Sequence, residues 1–353
     1  MNDKERSYSI LKNKLLKIFF RNQPPRPEDM MAQVRMANDT FLHENPVIRP
    51  YDSDSYPGGL VLLSHDIDTL IIPDLHGRLG DLLCMLFSQS DTGRNFLEDL
   101  LDRNLQIVCV GDGMHCEGHE AQRWNLAYRE YLKEYRIHTQ MDLEMRESFG
   151  LMEMVMELKN SCPGNFHFLK GNHENIKNEN GFGNHAFMKY AREGEMVELY
   201  VKKFYGSDFL EEYSEFEKNL PLLAAGKNFV VSHAEPASFY SKEMVINYRK
   251  YPDVIEGLTW TDDDSSEDGT VRLMIDEYIN PSYRERAYYF GGHRAVSQKY
   301  SSRSGGKYLQ IHNPEKCMMV KIRNDKEIDP DQDVIEITDK DFLEKLYVPI
   351  MKK

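Results

Sequence analysis

The chain has 353 residues, of which 41% are hydrophobic and 29% charged, enough apolar content to bury a large core as one big domain or two ordinary ones. Its formal net charge of −14 argues against nucleic acid as the main partner, because backbone binding relies on clustered Lys and Arg, but it leaves a small anionic substrate open. No run approaches the roughly 18 apolar residues needed to cross a bilayer, and the opening Met1-Asn2-Asp3-Lys4-Glu5-Arg6 lacks a signal peptide's hydrophobic stretch, so a soluble cytoplasmic protein is expected.

Residues 1–45 read as an N-terminal helical extension ahead of a domain spanning residues 46–353. The apolar residues between Ser9 and Phe20 have helical spacing with a basic face, and Gln23-Pro24-Pro25-Arg26-Pro27 then breaks the pattern. A helix packed on the domain or on a partner is expected, with a membrane-surface helix as the alternative.

Five short apolar runs follow: Leu70-Ile71-Ile72, Ile107-Val108-Cys109-Val110, Phe166-His167-Phe168-Leu169, Phe229-Val230-Val231 and Tyr288-Tyr289-Phe290. Each is β-branched or aromatic and stops at Gly, Pro or a polar residue, the pattern of a buried strand ending in a loop. The motifs closing them are Asp74-Leu75-His76-Gly77, Gly111-Asp112-Gly113, Gly171-Asn172-His173-Glu174, Ser232-His233-Ala234 and Gly292-His293-Arg294. Between them lie helix-favouring stretches at about residues 117–159 and 185–218, the second broken near Tyr205-Gly206-Ser207-Asp208, expected as outer helices or a cap over the site. The acidic stretch 261–269 lacks the full spacing of a calcium loop and reads as solvated. Five cysteines without C-x-x-C spacing point to free thiols in a reducing compartment.

Taken singly, each motif is also an ordinary strand-end turn; taken together, in this order and each after a strand, they form a ligand set. Carboxylate, imidazole and amide oxygen suit a transition ion, Mn²⁺ first with Fe or Zn as alternatives. Asp74 and His76 sit one residue apart just past a strand, so a slight turn aims both at one ion. Asp112 has two oxygens and can bridge two cations, and Asn172, His233 and His293 complete the second. Such a pair activates water and neutralises charge on a phosphoryl group. His173, beside Asn172, is placed to protonate a leaving oxygen as the catalytic acid.

The set D-x-H-G, G-D, G-N-H-E, strand-end His and G-H resembles the calcineurin-like metallophosphoesterase superfamily, nearest the serine/threonine protein phosphatase branch. The likeness runs from about residue 61 to 322. Leu258-Thr259-Trp260-Thr261-Asp262 is similar to that branch's L-W-S-D segment, and residues 308–314 fall where its late S-A-P-N strand would be. The resemblance implies an α/β fold of four layers, two central mixed β-sheets flanked by helices, with extra helical insertions. It implies two divalent metal ions held by Asp74, His76, Asp112, Asn172, His233 and His293, with His173 as the acid. The implied activity is hydrolysis of phosphomonoesters by attack of a metal-bound hydroxide on a phosphoprotein or small phosphoester. A nucleotide pyrophosphohydrolase or phosphodiesterase is the alternative, and an inactive metal-bound scaffold the alternative of another class.

The chain departs from the family's G-D-x-x-D-R-G, which reads here Gly111-Asp112-Gly113-Met114-His115-Cys116-Glu117. The Asp that orients the catalytic His becomes His115, and the Arg that grips phosphate becomes Cys116. Neutral His115 can only accept a hydrogen bond from the acid, so Glu117 or Glu174 is expected to take over. Arg294 is the first candidate to replace the lost Arg, with Arg78 and Arg286 behind it. Cys116 lacks the adjacent Arg of a cysteine nucleophile and reads as space-filling or redox-sensitive.

Overall fold

In the computed structural model, which describes residues 3–118 and 121–338, all five apolar runs are strands. In chain order the elements are α1 (Asp3–Phe20), α2 (Pro27–Leu42), β1 (Leu60–Leu62), β2 (Asp68–Ile72), α3 (Leu79–Phe87), α4 (Phe96–Leu101), β3 (Leu105–Cys109), α5 (Ala121–Tyr131), α6 (Thr139–Ser161) and β4 (Phe166–Phe168). Then come α7 (Glu193–Phe204), α8 (Ser207–Lys218), β5 (Leu223–Ala225), β6 (Phe229–Ser232), α9 (Lys242–Ile246), α10 (Pro252–Thr259) and α11 (Thr270–Tyr278). The chain continues with β7 (Tyr288–Gly291), β8 (Ser301–Arg303), β9 (Tyr308–Gln310), β10 (Met318–Ile322), α12 (Pro330–Asp333) and β11 (Val334–Glu336).

The strands form a five-stranded sheet, β11-β10-β2-β3-β4, and a six-stranded sheet, β1-β5-β6-β7-β9-β8. Because side chains alternate along a strand, each strand feeds two cores. Ile71, Val108, Val231, Phe290 and Leu309 fill the space between the sheets. Leu70, Ile72, Ile107 and Cys109 point the other way, under the helices α1–α8. Val230 and Tyr289 do the same toward α10 and α11. The result is four layers, helix, sheet, sheet and helix.

Both sheets contain a parallel triplet, β2-β3-β4 in one and β6-β7-β9 in the other. Parallel neighbours end on the same side. The loops leaving these strands are therefore gathered at one edge of the two-sheet stack, which positions the site.

The N-terminal helix buries Leu11, Leu15 and Ile18, its i, i+4, i+7 face, in the larger helical core. Pro27 at the first turn of α2 fits the position whose N–H has no partner anyway, and Met30, Val34, Ala37 and Phe41 are buried along one stripe. The helix α6 differs from the expected outer helix or cap: Met141, Met145, Phe149, Met152, Val155 and Met156 are buried, because α1, α2 and α5 pack on it as well as the sheet side. All five cysteines are buried.

A buried ion cluster ties these layers together. Glu44, just past α2, holds Arg49 at 2.8 Å and pairs with Lys159 of α6. Lys159 also donates to the carbonyl of Phe166 in β4 at 3.1 Å, and Arg49 to that of Gly58 at 2.7 Å. Burial pushes the Glu44 carboxyl up, but Lys159 and Arg49 outweigh it and hold it at about 2.

Candidate active site at the sheet edge

Pro73 ends β2, since it has no N–H for the ladder, and the chain turns so that His76 takes φ 40°. Asp112 (φ 52°), His115 (φ 60°) and His293 (φ 67°) share this left-handed region, rare for residues with a Cβ. Such backbone persists only where surrounding bonds determine it, and it concentrates at functional sites.

Those bonds stitch the loops to one another. The N–H groups of Leu75 and His76 donate to the carbonyl of Asp112 at 3.1 and 2.8 Å. The Glu174 carboxylate accepts from the N–H groups of Asp112, Gly113 and Gly171 at 2.7–2.9 Å. Asp112 Oδ1 accepts from His173 N at 2.9 Å, and Asp74 Oδ1 from His293 N at 3.0 Å. The backbones pack closely enough that a Cβ on Gly292 would lie 1.9 Å from Asp74 Oδ2, and one on Gly171 2.2 Å from Asp112 Oδ1.

This scaffold brings Asp74, His76, Asp112, Asn172, His233 and His293 together. Asp112 Oδ2 is central, 3.6 Å from His76 Nε2, 3.4 Å from His233 Nε2 and 3.7 Å from His173 Nε2. Asn172 Oδ1 is 3.0 Å from both His233 Nε2 and His293 Nδ1. His173 Nδ1 meets His115 Nδ1 at 2.9 Å, and Phe187 covers both rings, its centroid 3.9 Å from that of His173. His115 thus occupies the place of the family's orienting Asp. Glu174 spends its oxygens on backbone N–H groups, and Glu117 hydrogen-bonds elsewhere.

The donor set fits divalent cations. His76 Nδ1 faces the carbonyls of His115 and Met114 at 3.0 and 3.2 Å, and His233 Nδ1 faces that of Val110 at 3.1 Å. A carbonyl only accepts, so Nδ1 carries the proton and each Nε2 lone pair is turned toward Asp112, the tautomer a ligand needs. Among the described residues, buried Asp74 Oδ2, His293 Nε2 and His312 Nδ1 have no hydrogen-bond partner. Burial, then Glu174 and Asp74, push the Asp112 carboxyl well above its ordinary value. A cation offsets that crowding of carboxylates. Burial holds His233 at about 3 and His293 at about 4, so both are neutral at pH 7 and free to bind a metal.

Two residues close to this set were not read as ligands. His312, on the loop after β9, places Nε2 2.6 Å from Glu117 Oε1 and Nδ1 3.4 Å from Asp74 Oδ2. Glu117 Oε1 is also 3.6 Å from His76 Nε2, and its Oε2 pairs with Lys189 at 2.7 Å. The signal was present: Tyr308-Leu309-Gln310-Ile311 is a further, mostly apolar run closed by His and Asn.

The candidate cations behave differently from one another. Arg78 spends its guanidinium on the carbonyls of Asp74, Leu75, Asn313 and Pro314 and so clamps two loops. Arg286 precedes β7, at the strand end away from His293, and pairs with Glu327. Arg294 stands about half exposed at the rim, paired with Asp262. Cys116 is buried against Gly77, and burial with Glu144 and Glu147 pushes its thiol well above the ordinary value, the opposite of an activated nucleophile.

The fold and this cluster define a metal-dependent phosphoric ester hydrolase. The sequence pattern of the calcineurin-like phosphoesterase family matches residues 67–315, and the chain belongs to that family. No curated protein matches it by sequence. Among solved structures, a protein serine/threonine phosphatase from Saccharomyces cerevisiae is similar over 88% of this chain and 89% of its own, at 13% identity and a TM-score of 0.52. A cold-active protein-tyrosine phosphatase from a psychrophilic Shewanella is similar over 79% and 82%, at 13% identity and a TM-score of 0.44.

Proposed function

We propose that the chain is a protein phosphatase-like phosphomonoesterase built on a pair of divalent ions. Asp74, His76 and Asp112 would hold the first; Asp112, Asn172, His233 and His293 the second; Mn²⁺ is the first choice from the mixed nitrogen and oxygen donors. The observation that carries this reading is the central Asp112 Oδ2, within 3.4–3.7 Å of three imidazole nitrogens from three loops. When bound, the two ions lower the pKa of water and neutralise charge on phosphoryl oxygens.

The chain's own residues supply the rest. Glu174 keeps Asp112 in place by fixing the backbone on both sides of it. His173 Nε2, 3.7 Å from Asp112 Oδ2, faces the same space and would protonate the leaving oxygen as the catalytic acid. Burial, then His76 and His115, push its pKa well below the ordinary value, with Glu117 opposing. The imidazole therefore takes up its proton alongside added negative charge, which a phosphate ester brings. Arg294 would meet the substrate's phosphate at the rim by leaving Asp262.

A nucleotide pyrophosphohydrolase or phosphodiesterase is the second reading, favoured by one feature. A cavity of about 290 Å³ adjoins His76 and Glu117, space that a second group on the phosphate could occupy. Hydrolysis of an aryl phosphomonoester and the matching diester by Mn²⁺-loaded protein, with His173→Ala as control, separates the readings. Monoester turnover lost in the variant is expected; a diester preference would replace the first reading with the second, and tight metal binding without turnover on either would favour a scaffold.

A further inference from the structure

The loop after β9 carries an imidazole where the protein phosphatase branch has its S-A-P-N segment, and that imidazole lies among the ligands. His312 is 1% exposed, with Nε2 2.6 Å from Glu117 Oε1 and Nδ1 3.4 Å from Asp74 Oδ2. Both Nδ1 and Oδ2 are buried without a hydrogen-bond partner among the described residues. Two lone-pair atoms face each other too far apart to hydrogen-bond and at a separation that two ligands of one cation adopt.

We propose that His312 is an additional ligand of the first ion through Nδ1, and that Glu117 is the positioning residue that orients it through Nε2–H. The inference rests on the two-ion reading above and adds a residue to it. Glu117 acts through His312 because both its oxygens are engaged, Oε1 by His312 and Oε2 by Lys189. A carboxylate on the far nitrogen fixes the tautomer that leaves Nδ1 bare. The arrangement also explains why Glu117 stands where the family has Gly: a hydrogen could not reach His312. With two imidazoles, His76 and His312, the first site gains softer donors and should prefer Mn²⁺, Co²⁺ or Zn²⁺ over Mg²⁺.

The competing role is a protonated His312 bridging the two carboxylates with no metal bond, and metal binding distinguishes the two. Chelator-treated full-length protein is titrated with Mn²⁺ by calorimetry and with Co²⁺ by visible absorption, beside His312→Ala, His312→Gln and Glu117→Gln, with circular dichroism as the folding control. Wild type should take up two ions. His312→Ala and His312→Gln should bind one of them at least tenfold more weakly, with a changed cobalt spectrum, and Glu117→Gln should weaken the same ion about 10–100-fold. If His312→Ala does not fold, His312→Gln, which keeps a donor toward Glu117, decides by the same criteria. Two ions at wild-type affinity and an unchanged cobalt spectrum in the His312 variants would overturn the assignment alone. Wild type binding fewer than two ions would instead overturn the two-ion reading beneath it.

Discussion

His115 and His173 meet Nδ1 to Nδ1 at 2.9 Å, so a single proton serves the contact and one ring must accept while the other donates. Burial, then His76, hold His115 at about 3, which makes it neutral at pH 7. A neutral ring can orient His173 but cannot stabilise its charged form as a carboxylate would. His115→Asp puts a negative charge beside His173 Nδ1 and raises its pKa. Because an acid works only while protonated, the alkaline limb of the pH–turnover profile should move to higher pH by about 1–3 units. A profile that stays where it is would remove His173 from the role of titrating acid.

At the scale of elements, the cluster of Glu44, Arg49 and Lys159 joins the end of α2 to α6 and β4 in the interior. Removing one partner of such a buried set leaves the others uncompensated, so Glu44→Gln should lose about 3–5 kcal/mol of stability in urea unfolding at neutral pH. The sign with pH follows from the lowered Glu44 pKa. Its folded value, about 2, is below its ordinary 4.5, so its contribution is present above pH 4.5 and is lost as pH falls from 4.5 toward 2. The gap between wild type and variant should therefore narrow through that window. A gap independent of pH would mean that the ion cluster does not set it.

For the molecule as a whole, the site is also a stability question, because Asp74, Asp112 and Glu174 are buried carboxylates at the junction of both sheets. Ions binding the folded chain and not the unfolded one stabilise it by mass action, about 2.7 kcal/mol per ion at a free concentration a hundredfold above its Kd. Adding Mn²⁺ to chelated protein should raise the melting temperature in scanning calorimetry, and Asp112→Asn should blunt the rise. An equal melting temperature with and without Mn²⁺ would mean that no ion binds at this junction.

Strands and the motif-bearing loops that close them were legible from residues alone, because an apolar run closed by Gly, Pro or a polar residue is a local pattern. Asp74, His76, Asp112, Asn172, His173, His233 and His293 could be singled out that way, as could the break between α7 and α8 at Gly206. Local pattern also misled: the Met-rich stretch that became α6 has no narrow apolar stripe, and its burial depends on which helices pack behind it. The partnership of His115 with His173, the clamp made by Arg78 and the meeting of Glu117, His312 and Asp74 appear only once the loops of two sheets share one edge. Periodicity is written into neighbouring residues, whereas which lone pair faces which carboxylate is decided by the distances between elements far apart in the chain.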